Sequence, residues 1–232
     1  MNTMSIEKRK YELKSRAEAQ RQTRERIVLA TMDLHQEVGP AQTTIAEVAR
    51  RAGVQRLTVY KNFPDEADLF GACQAHWMEL HPLPDLDAAL AVTEPAERVR
   101  AALRGSYRWY RETQRMAENI QRDRTLVPAL DSLMRRTADA RADRLADALA
   151  EGLGAGTAQR ALIRLALDFW TWRRLSQEGL DDDAAADLMT VAAASGQVSP
   201  VQSSDTAVRP RSSDLRYTTR SQDVASSGSS SG

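Results

Sequence analysis

The sequence predicts an all-α protein in two parts: an N-terminal three-helix unit organised round a helix-turn-helix, and a larger C-terminal helical body. Three observations predict it. Residues 44–63, TIAEVARRAGVQRLTVYKNF, read as two short helices joined by a tight turn around Gly53. Apolar residues recur at three- and four-residue spacing through most of the chain between residues 23 and 195. Breaks at Gly39-Pro40, Phe63-Pro64, His81 to Pro84 and the GLGAG run at 152–156 cut these stripes into separate helices.

Residues 1–20 are polar, of mixed charge and poor in apolar side chains, so they are expected to be a disordered basic arm or a frayed helix. Lys8, Arg9, Lys10, Lys14 and Arg16 either meet nucleic-acid phosphates or form a solvated tail. The first packed helix is expected from an N-cap at Thr23 to Gly39-Pro40, with Ile27, Ala30, Leu34 and Val38 as its stripe. Thr44 is a good N-cap for the next, and Glu47 completes a capping box. Ile45, Val48, Ala49 and Ala52 form one apolar face, and Gly53 supplies a left-handed residue that ends the helix. The second helix of the motif, from Gln55 to Phe63, is polar and basic: Gln55, Arg56, Thr58, Tyr60, Lys61 and Asn62 make a donor-rich, partly aromatic surface that a major groove accepts. Asp65 caps a fourth helix running to about Leu80, with Leu69, Cys73 and His76 or Trp77 on one face.

The body begins after the extended His81-Pro82-Leu83-Pro84. From Pro95 a helix carries Val99, Leu103, Tyr107 and Tyr110 at helical spacing, and a poorly patterned stretch, 112–124, follows. Pro128 opens a long alanine-rich helix to about Gly152, with Met134, Ala138, Ala142, Leu145 and Leu149 as its seam. Thr157 is expected to cap a helix that is apolar on two faces, with Leu162, Leu165, Phe169 and Trp172 on one and Ile163, Ala166, Leu167 and Trp170 on the other. Such a helix needs cover on both sides. One cover is the body's own core; the other is a second subunit, which predicts a homodimer through the last two helices. Asp181 to Asp183 cap the last helix, and residues 196–232, rich in Ser and Gly, are expected to be a disordered tail.

At residues 23–77 the sequence resembles the TetR family of bacterial transcription regulators. The resemblance is carried by TRERIVLATMDLHQEVG at 23–39, TTIAEVARRAGV at 43–54 and LTVYKNFPDEADLF at 57–70, in the order T-x-x-x-V-A-x-x-A-G-V then T-x-Y-x-x-F-P. It implies a helix-turn-helix DNA-binding domain over 21–81 and a helical effector-binding and dimerisation domain over 82–195. It further implies that Thr44 touches a phosphate, that Arg56, Leu57 and Thr58 face base edges or the groove wall, and that Tyr60 and Lys61 meet the sugar-phosphate backbone. The family usually has a lysine at the start of its fourth helix; this chain has Glu66 there, which repels a phosphate.

Charge agrees with this division. The 232 residues carry no net charge, yet residues 1–62 hold twelve Lys and Arg against seven Asp and Glu, so the remainder carries a net −5. A basic head on an acidic body suits a protein that meets nucleic acid at one end. A single cysteine, Cys73, rules out an internal disulfide framework and suits a reducing, cytoplasmic setting. No apolar run is long enough for a membrane span, and the charged N-terminus is not a signal peptide.

No phosphate-binding glycine loop, zinc-protease motif or nucleophile elbow occurs, so nothing in the sequence supports catalysis. Cys73 and His76, at i and i+3 on one helix face, with His81 past the helix end, are either three candidate metal ligands of a metal sensor or, the better reading, a buried cysteine and a boundary histidine, and no cofactor is expected. Tyr107, Trp109, Tyr110, Phe169 and Trp170 either wall a pocket for an apolar small-molecule effector or pack the core and a subunit interface; Arg108, Arg111 and Arg173 are candidate polar anchors. The expected function is a dimeric, ligand-responsive regulator, of repressor type, binding double-stranded DNA at a pseudo-palindrome. The alternative is a helical protein–protein adaptor whose motif no longer binds DNA, favoured by Glu66 and the zero net charge.

Overall fold

The computed structural model describes residues 3–153 and 156–195. The expected tail, 196–232, lies outside them, as do Gly154 and Ala155 in the GLGAG turn. Eleven α-helices and no strand are found among the described residues. None of these helices is long and apolar enough to cross a membrane.

Helix α1, Thr3–Glu37, corrects two expectations. The stretch expected as a disordered arm is helical from Thr3 onward, and Thr23 is not a cap: its hydroxyl donates to the Ala19 carbonyl at 2.8 Å within the same helix. No Gly or Pro interrupts residues 3–37, the stretch is rich in Glu, Lys, Arg and Ala, and extending a packed helix needs no new nucleus. Side chains 11–22 are nonetheless exposed; packing begins at Ile27.

Helices α2, Ile45–Ala52, α3, Arg56–Asn62, and α4, Glu66–Leu80, complete the head. Their core joins Ile27 and Leu34 of α1 to Val48, Val59, Phe63, Leu69 and Trp77. Asp65 caps α4 as expected, accepting from the Asp68 amide at 2.8 Å. A short helix unforeseen in the sequence, α5, Leu86–Leu90, follows with Asp85 as its cap.

In the body, α6, Pro95–Asp123, is one unbroken helix; its buried side continues through Thr113, Met116 and Asn119, the last two against α1. The long helix expected from Pro128 is divided into α7, Pro128–Met134, a π-helical turn, Arg135–Asp139, and α8, Ala140–Ala150. The two-faced helix is also divided, into α9, Thr157–Ala166, and α10, Phe169–Gln177. Asp168 is the reason: its carboxylate accepts from the amides of Trp170 and Thr171, starting a new helix instead of continuing the old one. Thr157 makes no side-chain cap; Gly156 holds that position. Helix α11, Asp182–Ser195, packs along α6 and α9. The body core gathers Val99, Leu103, Tyr107, Leu149, Ile163, Phe169 and Trp172.

Head and body meet where α6 closes the end of α1. The carbonyls left open at a helix C-terminus need donors. Asn119 Nδ2 donates to the His35 and Gln36 carbonyls at 2.9 and 3.0 Å, and Arg122 Nη2 donates to the Val38 carbonyl at 3.0 Å. Gly39, at φ 95°, passes so close to Arg122 and Asp123 that any Cβ there would collide with both.

Candidate nucleic-acid interface and effector cavity

The helix-turn-helix forms as its residues require. Thr44 Oγ1 accepts from the Glu47 amide at 3.2 Å, and Gly53 sits at φ 66° and ψ 39°. The Gly53 amide reaches the Arg50 carbonyl and the Val54 amide the Ala49 carbonyl, closing a paired turn that orients α3 against α2. The expected capping box is only half made. Glu47 turns its carboxylate to Arg50, at 2.5 Å, rather than back to the Thr44 amide, and that guanidinium holds the Glu47 carboxyl below its usual range.

Helix α3 is short, so it depends on anchors. Val59 and Phe63 are buried, the Arg24 guanidinium lies 3.9 Å over the Phe63 ring, and Arg24 also donates to the Asn62 carbonyl at 2.6 Å. This leaves Gln55, Arg56, Leu57, Tyr60 and Lys61 exposed on one surface, with Thr44 exposed beside them at the start of α2. Thr58 is half-buried, and Asn62 is occupied: its amide donates back to the Thr58 carbonyl at 2.8 Å. Arg50 and Arg51 are tied to Glu47 and Glu37, so Arg56 and Lys61 are the cations of the motif that no described carboxylate pairs. Two basic residues lay outside the sequence-based selection. Arg24 is an anchor, and the exposed Arg26 reaches the α2–α3 turn, 3.8 Å from where a Gly53 Cβ would stand. Their signal was their spacing on α1, which is informative only once the packing of α1 on the motif is known. Asp65, Glu66 and Asp68 make the N-terminus of α4 acidic and exposed.

The five aromatic residues expected round an effector separate. Trp109, Tyr110 and Phe169 line a cavity of about 590 Å³ between α4 and the body helices. Tyr107 is fully buried and donates to the Ala166 carbonyl at 2.8 Å; burial pushes its phenol far up, and it belongs to the core. Trp170 faces solvent, turned outward by the break at Asp168. Of the three expected anchors, Arg111 is engaged by Asp182 at 2.8 Å and Arg173 lies 3.7 Å from Glu118, while Arg108 is exposed; none borders the cavity. The walls that sequence reasoning missed come from elsewhere: Gly71, Gln74, Ala75 and Met78 of α4, and Arg136, Arg141 and Arg144 from the π turn and α8. The seam residues Met134, Ala138 and Ala142 open on this space instead of packing shut.

Cys73, His76 and His81 go to different partners. Cys73 lies buried against the Val28 carbonyl, and burial pushes its thiol up to about 12; His76 faces Glu79 at 3.2 Å, and His81 stacks on Trp77. Among the described residues no group of three His, Cys, Asp or Glu is placed to hold a metal ion.

Comparison with known proteins bears on both sites. No curated protein matches the chain. Among solved structures it is similar to a TetR-like transcriptional regulator from Rhodococcus sp. RHA1, at 21% identity over 74% of this chain and 93% of that one, TM-score 0.51. It is similar to a TetR family transcription regulator from Marinobacter aquaeolei VT8, at 18% identity over 77% and 96%, TM-score 0.51. It is also similar to the fatty acid degradation regulator FadR from Bacillus halodurans, at 16% identity over 76% and 96%, TM-score 0.52. At these identities the likeness establishes the shared fold of head and body. The head itself, residues 27–73, matches the family model of bacterial regulatory proteins of the tetR family.

Proposed function

We propose that the chain is a ligand-responsive transcriptional repressor that binds a pseudo-palindromic operator in double-stranded DNA as a homodimer, in the cytoplasm. The observation that carries the DNA reading is the α3 surface: Arg56 and Lys61 stand exposed and unpaired by any described carboxylate on a helix whose other side is anchored in the core. Arg56 is assigned to base readout and Lys61 to phosphate, with Tyr60, Gln55, Leu57 and Thr58 lining the groove and Thr44 at the backbone. One such helix reads few base pairs, at about 1–3 kcal/mol for each good bidentate contact, so a dimer joining two half-sites is required for useful affinity. Support for a dimer comes from the body: Leu165, Trp170, Leu188 and Val191, on α9, α10 and α11, are large apolar side chains left exposed. Support for ligand response comes from α4, which borders the cavity through Gly71, Gln74, Ala75 and Met78 and leads directly back to α3. A ligand that fits one position of α4 better than another shifts the spacing of the two recognition helices by its differential affinity and no more. The repressor role follows the family resemblance.

The test is a gel shift on DNA flanking the coding region, at two salt concentrations. Arg56→Ala is expected to cost about 1–3 kcal/mol on the cognate site and much less on random DNA. Lys61→Ala is expected to weaken both alike and to lower the salt slope by about one. Equal losses from Arg56→Ala on both DNAs would remove Arg56 from readout. No shift on any duplex at low salt would favour the adaptor reading, to which the acidic start of α4 at Asp65, Glu66 and Asp68 lends its weight.

A further inference from the structure

The large cavity has a charge pattern that ordinary packing does not require. Its wall carries three arginines, Arg136, Arg141 and Arg144, and no aspartate or glutamate. The surrounding helices pair their guanidiniums. Arg124 holds Asp131 at 2.9 Å and Asp139 at 2.7 Å, Arg164 holds Asp143 at 2.9 Å, and Arg160 holds Asp147. Arg141 stands between these pairs, half-buried, and no carboxylate or hydrogen bond contributes to its state. Burial lowers its pKa, and the groups that act on it are the Tyr110 phenol and a second cation, Arg144. Withdrawing a guanidinium from water without an anion is costly, and this one, unlike Arg124, Arg160 and Arg164, is left to be compensated from outside.

Several other polar groups of the wall already donate elsewhere. The Tyr110 hydroxyl donates to the Leu167 carbonyl at 2.7 Å, the Ser106 hydroxyl to Ala102 and the Thr137 hydroxyl to Leu133, both at 2.8 Å. Gln74 Nε2 donates to Thr137 Oγ1 at 3.0 Å. The Arg141 guanidinium presents a fork of N–H donors, whose planar geometry matches a carboxylate through two parallel bonds. The π-helical turn, Arg135–Asp139, brings Arg136 and Thr137 to the same wall; such wide turns recur at functional positions.

We propose that the large cavity binds an organic carboxylate with an apolar body, the anionic head on Arg141 and the body against Trp109, Tyr110 and Phe169. The inference rests on reading this cavity as the effector site, and it adds the chemical class of the effector. A cavity of about 590 Å³ lies within the range that small ligands occupy.

The test is calorimetry on the full chain without DNA, using two matched pairs: decanoate with decanol, and naphthoate with naphthamide. At least one acid is expected to bind, and at least about tenfold more tightly than its neutral partner, the difference a charge-assisted hydrogen bond makes. Arg141→Gln is expected to erase that preference and Arg141→Lys to keep part of it, with helicity by circular dichroism unchanged in both. The proposal is overturned if neither acid binds, if the neutral partner binds as tightly, or if a folded Arg141→Gln protein keeps the preference. Should an acid bind as expected and leave the affinity for DNA untouched, the ligand class stands and the effector reading falls.

Discussion

The small cavity around His35 and Cys73 and the large one around Trp109 and Arg141 share a wall, α4, but little of their chemistry. The small one, about 110 Å³, is enclosed by Met32 and His35 of α1, Phe70, Cys73 and Trp77 of α4, and Met116 and Ile120 of α6. It is apolar, and its titratable members are held neutral: burial pushes Cys73 up to about 12 and His35 down to about 4, against an opposing pull from Asp123. The large one carries three guanidiniums. Gln74 and Met78 of α4 and Met134 and Ala138 beside them border both. A close-packed core does not deform continuously, so a helix needs vacant space to move into. Under the function proposed above, the difference separates two tasks: the large space receives a ligand, and the small one gives α4 room when that happens.

The comparison breaks most visibly under tryptophan deletion. Trp77→Ala removes a buried ring from the small cavity's wall and is expected to cost about 3–5 kcal/mol in urea unfolding. Trp109→Ala removes a half-exposed ring from the large cavity and is expected to cost about 1–2 kcal/mol while lowering affinity for the acid ligand. Equal stability losses would mean that the two spaces are not different in kind.

Acid sharpens it next. The folded His35 pKa lies below the unfolded value, so the unfolded chain binds the proton first. Stability is then full above pH 6.5 and falls as the pH drops toward about 4, by about 3 kcal/mol in all. Asp123 titrates lower still: burial raises its pKa, yet Arg122 and the Ala41 amide outweigh this and hold it below the usual value, so its loss begins under pH 3.8. Urea melts between pH 6.5 and 5.5, above the range in which carboxylates such as Glu47 titrate, isolate the histidine. His35→Phe, which keeps a ring against Phe70, is expected to flatten that slope; an unchanged slope would place the proton elsewhere.

How much of this could be read from residues alone depended on the range of the interaction that decides each feature. The motif at 44–63 was legible because its determinants are local: Thr44 to the Glu47 amide, Gly53 in its left-handed conformation, Asp65 capping α4. The division at Asp168 was local too, but an aspartate inside an apolar helical pattern has no marked signal until its carboxylate is seen on Trp170 and Thr171. The cavity was half legible. Trp109, Tyr110 and Phe169 stood out as aromatics, whereas Arg141 looked like any surface arginine of an amphipathic helix, and the absence of its partner is a fact about α6 and α9 as much as about α8. Residues 3–20 show the opposite case: low hydrophobicity left disorder and a frayed helix both open, whereas uninterrupted helix formers extend the packed helix.

The smallest expected effect bears on how the two cavities communicate. Gln74 Nε2 donates to Thr137 Oγ1 at 3.0 Å, joining α4 to the π turn across the strip where both spaces meet. Gln74→Leu removes the bond while keeping a side chain of similar volume, and is expected to cost about 1 kcal/mol of stability, the worth of one neutral hydrogen bond. Its larger consequence is for coupling. Without the bond the π turn can accommodate the ligand without moving α4, so acid binding by calorimetry is expected to persist while its effect on DNA affinity shrinks. The same ligand-induced change in DNA affinity in Gln74→Leu and the parent protein would show that α4 is driven through Met78 and Gly71 directly, and that the π turn positions Arg136 and Thr137 but transmits nothing.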